Sequence, residues 1–200
     1  MTTFLKPGIE KIMHVFYHNK SESFHLRGLS RKAKLEGQSI TRYLNFLEEN
    51  NFLRSKREGN QRRYSVNQNK LISSIFTIFD VEKFEKLPQI RKQAIETYFD
   101  SLSKQPVYAL IFGSTAKENY AKDSDIDILL ITNEKIDAKN AEKEADVLHS
   151  IKISTFQMTY KAFIIELKLK EDKVVQSAIQ TGYPLINHIR YYEALRHERV

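Results

Sequence analysis

Asp125 and Asp127 stand two residues apart at the head of an apolar run, IDILLIT (126–132), and Gly113-Ser114 ends the run before it, VYALIFG (107–113). Ten residues separate Ser114 from Asp125. Side chains alternate along an extended chain, so a spacing of two sends both carboxylates to one face while Ile126 and Ile128 enter the other. Charge at the edge of a buried strand is costly, and two carboxylates repel each other unless a cation lies between them. The chemistry this pattern suits is divalent-metal binding by Asp125 and Asp127. Mg²⁺, or Mn²⁺ in its place, takes a few hard oxygen ligands and completes its shell with water and phosphate, so two acids suffice. Gly113 lets backbone approach a ligand closely, and Ser114 with the N–H groups after it can hold phosphate oxygens. A nucleoside triphosphate can then bridge turn and metal. A decorated turn without chemistry is the alternative.

The elements that must position these groups are legible in outline. The two runs are short, dense and bounded by loop residues, as expected of strands covered on both faces. A helix is predicted over about 138–149 and a third strand in IKISTFQMT (151–159). Helical spacing then continues through YKAFIIELKLK, DKVVQSAIQTGYPLINH and YYEALRHER. Upstream, residues 71–105 read as connecting helices, with Ile90, Ala94, Ile95, Tyr98, Phe99 and Leu102 at helical spacing.

With both halves of the motif at the edges of predicted strands, the stretch from about 107 to 163 resembles the polymerase-beta-like nucleotidyltransferase superfamily, in particular its minimal members. The resemblance implies a mixed sheet with flanking helices. It also implies that Asp125 and Asp127 are catalytic metal ligands, that Gly113 and Ser114 hold a nucleoside triphosphate, and that a nucleoside monophosphate moves to an acceptor hydroxyl. Lys117, just after the turn, is a candidate phosphate contact. The family usually adds a third carboxylate from the next strand, as metal ligand and base. IKISTFQMTYKAF contains no acid, and Ser154 or Thr155 and Gln157 face the site according to register. Catalysis and nucleotide sensing both remain open.

The first third of the chain has a different character. Residues 1–70 carry 14 Lys and Arg against 6 Asp and Glu, whereas residues 71–200 carry 18 against 19. A basic module beside a near-neutral one is the footprint of a polyanion partner. A helix is predicted over 7–18, two more with a Gly-containing break at 36–38, and two short strands around Gly59-Asn60. On the third helix Ile40, Leu44 and Leu47 point inward, leaving Gln38, Ser39, Thr41, Arg42 and Asn45 outside as groups able to read base edges. Lys56, Arg57, Arg62 and Arg63 flank the hairpin turn, where long cations reach phosphates. Tyr43, Phe46 and Phe52 are expected in the core. Residues 24–66 resemble the winged helix-turn-helix domains of bacterial and archaeal transcription regulators, which implies double-stranded DNA as partner. His14 and His18 share a helical face, but no third metal ligand is near.

The fold class expected is α+β: an N-terminal winged helix-turn-helix of three helices plus a β-hairpin over 1–70, connecting helices over 71–105, and a nucleotidyltransferase-like mixed sheet with C-terminal helices over 106–200. No apolar run is long enough to span a bilayer, no secretory leader is seen, and cysteine is absent, which points to a cytoplasmic protein without membrane contact. Two functions fit. One is a DNA-binding transcriptional regulator, expected as a homodimer through residues 71–105, whose second domain binds a triphosphate and divalent metal. The other is a nucleotidyltransferase modifying protein or RNA, antitoxin-like, with the basic domain capturing substrate or a protein partner.

Overall fold

The computed structural model describes residues 5–197. The chain falls into two compact units that divide between Phe79 and Asp80, within helix α4 (Lys70–Glu85). Among the described residues there are ten helices and two sheets.

The first unit runs α1 (Pro7–His18), β1 (Phe24–His25), α2 (Leu26–Ala33), α3 (Gln38–Glu49), β2 (Leu53–Glu58), β3 (Gln61–Val66) and the start of α4. Pro7 fits the first turn of α1, where its missing N–H has no partner to lose. Ile9, Ile12, Met13, Phe16 and Tyr17 are the buried stripe of α1. Gly8 is where α1 and α3 approach: a β-carbon there would enter the ring of Tyr43. His25 caps α2, its Nδ1 accepting the Gly28 N–H at 3.1 Å. After α2 the chain turns through Gly37, at φ 64°, into α3. Ile40, Leu44 and Leu47 of α3 are fully buried. Beyond the expected hairpin, β1 adds a third strand to give the antiparallel order β1-β3-β2. His14 belongs to this packing, with its ring stacked on Phe79 at 3.9 Å. Three aromatic expectations need correcting. Phe46 is 42% exposed, because it falls on the outward side of the α3 stripe, and Tyr43 and Phe52 are only half-buried.

The second unit holds α5 (Gln89–Asp100), β4 (Tyr108–Phe112), α6 (Gly113–Ala116), β5 (Ile126–Thr132), α7 (Lys139–His149), β6 (Ile153–Thr159), α8 (Tyr160–Leu169), α9 (Lys173–Thr181), β7 (Tyr183–Ile186) and α10 (His188–His197). Its sheet has the order β6-β5-β4-β7, with β5 parallel to β6 and β4 antiparallel to both β5 and β7. Ala109, Ile111, Ile126, Ile128, Leu130 and Ile153 form one face with α5 and α7. Helices α8 and α9 cover the other, where Tyr108 meets Phe163 and Tyr191 edge-on. Coverage on both sides explains why β4 and β5 read as unbroken apolar runs. Each fully buried Ile or Leu contributes roughly 1.5–3 kcal/mol, so the sheet is rigid where it carries the site.

Two expectations change here. Tyr183–Ile186, read as a continuation of the preceding helix, is an edge strand against β4. Gly182 makes the close approach possible, since a β-carbon would strike the carbonyls of Ala178 and Ile111, and Pro184 is tolerated at an edge. Helix α5 is not a connector: Ala94, Ile95 and Tyr98 are buried in the core of the second unit.

Candidate functional site

β4 ends at Phe112 and the chain turns at Gly113 into α6, a single turn of helix. Gly113 has φ 68°, a left-handed conformation that favours glycine, and a β-carbon on it would overlap Asp127 Oδ2. The space left by the missing side chain is filled by that carboxylate. The register pairs Phe112 with Asp127 across β4 and β5, so the Gly-Ser turn and the second acid meet by strand pairing alone. Ser114 is half-buried at the turn, while Lys117 is exposed at the end of α6.

Asp125 lies one residue before β5 and is exposed; Asp127 is half-buried. The pKa of Asp127 is raised from the ordinary carboxylate value, first by burial and then by the charge of Asp125. The two carboxylates therefore repel each other. On the neighbouring strand Ser154 pairs with Asp127, and its hydroxyl donates to Asp125 Oδ2 at 3.3 Å. Of the alternatives left open by sequence, Ser154 takes the place beside the acids. Thr155 turns to the other face, hydrogen-bonded to Tyr98 Oη at 2.8 Å, and the Gln157 amide is engaged with the Ile136 main chain. Among the described residues no group of three or more His, Asp or Glu side chains gathers for a metal. Two carboxylates and a hydroxyl, all hard oxygens open to solvent on one side, fit a divalent cation that keeps water and phosphate in its shell.

Sequence reasoning missed the residues that hold this loop. Arg91 of α5 is only 2% exposed. Its guanidinium donates to Thr115 Oγ1 at 3.1 Å, Ala121 O at 3.3 Å and Ser124 O at 2.6 Å, and it lies 4.2 Å from the centre of the Tyr120 ring. Burial lowers its pKa, opposed by Tyr120 and Asp125. Lys83 of α4 donates to Ala116 O at 2.8 Å, and burial lowers its pKa as well. The only signal for either in the sequence is a cation near a helical apolar stripe, which a solvated face produces as readily.

In the first unit Gln38, Thr41, Arg42 and Asn45 are exposed together on α3, with the Arg42 guanidinium 5.4 Å from the Tyr43 ring centre. Ser39 is half-buried and its hydroxyl donates to Glu36 O. Lys56 and Arg57 are exposed on β2. Arg62 and Arg63 are tied within the unit. Arg62 makes two bonds to Glu48, at 3.0 and 2.7 Å, and one to Ser55; Arg63 donates to Ser23 and lies 3.4 Å from Glu58. On β3 these two brace the hairpin against its surroundings.

Residues 93–189 match the family model described as Polymerase beta, Nucleotidyltransferase. No curated protein and no solved structure matches the chain. The second unit is thus similar to polymerase-beta nucleotidyltransferase domains across the turn, both acids and Ser154, and Arg91 lies two residues ahead of the match. No helix among the described residues is long and apolar enough to cross a membrane.

Proposed function

We propose that the second unit binds a nucleoside triphosphate together with Mg²⁺ or Mn²⁺ and transfers its nucleotidyl group to an acceptor. The observation that carries this reading is the Asp127 carboxylate seated in the space that Gly113 leaves open, with Asp125 and Ser154 beside it. Asp125 and Asp127 would hold the cation, which when bound supplies positive charge to the phosphates. Gly113 gives the Asp127 carboxylate its place at the turn, Ser114 offers the triphosphate a hydroxyl donor, and Ser154 orients Asp125. In the reaction the acceptor oxygen bonds to the α-phosphorus, the bond to pyrophosphate breaks, and the acceptor proton leaves to solvent or to a basic group of the acceptor. Calorimetry should show triphosphate binding that depends on Mn²⁺ and disappears in Asp125→Asn. Binding of equal strength in that variant, or without metal, would refute the reading.

For the first unit we infer double-stranded DNA as the partner. The exposed polar side of α3 and the free-standing cations Lys56 and Arg57 support it, as does the concentration of positive charge before residue 71. The order of three helices and a hairpin supports a winged helix-turn-helix reading, in which α3 would enter the major groove. Replacing Lys56 and Arg57 with alanine should reduce the salt dependence of DNA affinity by about one unit of slope per cation, and Arg42→Ala should cost ~1–3 kcal/mol on a preferred site. Affinity measured by fluorescence anisotropy at several salt concentrations tests both. Wild-type values in all three positions would rule DNA out and leave a nucleotidyltransferase that captures protein or RNA.

A further inference from the structure

We propose that Arg91 is a positioning residue that fixes the main chain of Asp125 and thereby sets the cation affinity of the site, an inference that rests on the cation reading above. A guanidinium on the buried face of α5, the face that carries Ala94, Ile95 and Tyr98, is expensive, and an apolar side chain of similar size is often at least as stabilising in such a place. What a hydrocarbon cannot supply is a planar fork of donors in fixed directions. All the polar contacts described for Arg91 converge on residues 115–124, the segment between the Gly-Ser turn and the acids.

Their targets are specific. Residues 121–124 close a small turn, with Ser124 N bonded to Ala121 O at 3.1 Å and Ala121 N to Ser124 Oγ at 2.9 Å. One guanidinium nitrogen donates to both carbonyls of that turn, Ala121 O and Ser124 O. The Ser124 carbonyl belongs to the peptide bond that enters Asp125. The other guanidinium nitrogen donates to Thr115 Oγ1, and the Thr115 hydroxyl donates in turn to Asp125 O, at 3.4 Å. The carbonyls on both sides of the Asp125 α-carbon are therefore held, one directly and one through Thr115. Tyr120 covers the guanidinium on the loop side. Lys117 to Asn119 and Ala121 to Asp123 are exposed and offer little packing of their own. Asp125 itself is exposed, with the Ser154 hydroxyl as its side-chain partner, so its direction depends on the backbone that carries it.

The test is Mn²⁺ titration of the full chain, with the metal alone, followed by electron paramagnetic resonance, alongside thermal melting and hydrogen exchange over residues 115–127. Arg91→Met and Arg91→Lys should each weaken Mn²⁺ binding by ~10–100-fold, the range typical of residues that orient metal ligands, since an ammonium cannot span the three acceptors. Thr115→Val removes only the relay hydroxyl and keeps the shape, so it should fold, weaken Mn²⁺ binding several-fold and lose protection at the Ser124 and Ile126 amides on either side of Asp125. Lys83→Met is the control. It removes a half-buried cation of α4, bonded to Ala116 rather than to the flanks of Asp125, and should lower the melting temperature while leaving Mn²⁺ affinity unchanged. Variants at Arg91 and Thr115 that melt lower yet bind Mn²⁺ like wild type would make Arg91 a purely structural residue. If the Arg91 variants do not fold, Thr115→Val decides alone. A wild-type protein that binds no Mn²⁺ overturns the cation reading and this proposal with it, whereas binding in wild type that Thr115→Val leaves untouched overturns the proposal only.

Discussion

Asp127→Asn should melt at a higher temperature than wild type in EDTA at neutral pH, and should no longer bind Mn²⁺. Burial, then the charge of Asp125, raises the Asp127 pKa in the folded protein above its unfolded value. The folded state then binds that proton more tightly than the unfolded chain does. Linkage fixes the sign: with the protein's proton uptake larger in the folded state, stability falls as pH rises through the raised pKa and is regained as pH drops back through it. At neutral pH the carboxylate is charged and strains the metal-free site, whereas asparagine keeps the shape and removes the repulsion. The expected signature is a calorimetric melting temperature for metal-free wild type with an acid-side rise, in the interval just above the usual carboxylate range, that the asparagine variant lacks. A lower melting temperature for the variant would mean that Asp127 is held by bonds that favour its charge. The same shift predicts that Mn²⁺ affinity in wild type declines on mild acidification, earlier than an unperturbed aspartate would allow.

Ser154→Asp should tighten Mn²⁺ binding by at least about tenfold and raise nucleotide incorporation by ~10²–10⁴-fold where the acceptor is a hydroxyl, the contribution typical of a positioned general base. Strand pairing puts residue 154 opposite Asp127, and the serine hydroxyl already reaches the Asp125 carboxylate. A carboxylate introduced there would be a third oxygen ligand and a proton acceptor in one. β6 is an edge strand and Ser154 is half-buried, so the change needs no core rearrangement. Three charges without a metal should lower the melting temperature in EDTA, opposite to Asp127→Asn. Electron paramagnetic resonance titration and incorporation of labelled nucleotide measure the two gains. Unchanged incorporation would mean that the proton leaves by a route independent of position 154.

The parts of this molecule that were legible in its sequence are those whose causes are local. β4 and β5 announced themselves because both faces are covered, and the Asp125–Asp127 spacing carried its own geometry. Gly113 was readable as a close approach, although the group that approaches it within the protein, Asp127, was not. The choice between Ser154 and Thr155 needed a register, which one residue of slip inverts. β7 was hidden because Val174, Val175, Ala178 and Ile179 keep helical spacing right up to Gly182, and Leu185 and Ile186 continue it. The ties of Arg62 and Arg63 to Glu48 and Ser23 were not readable, because those partners lie 14 and 40 residues away. Arg91 left least trace of all: two of its three hydrogen-bond partners are main-chain carbonyls, which any sequence possesses.

Helix α5 comes before the first strand of the sheet, so the side chain that steadies Asp125 is encoded well upstream of the motif it serves. The acidic pair is consequently not portable. A fragment cut at residue 105, or β4 to β6 grafted onto another scaffold, would keep Gly113, Ser114, Asp125 and Asp127 and still leave the loop between them slack. A cut ahead of α5 keeps Arg91 together with Tyr120 and the acids, and that is where a transplant of this site has to begin.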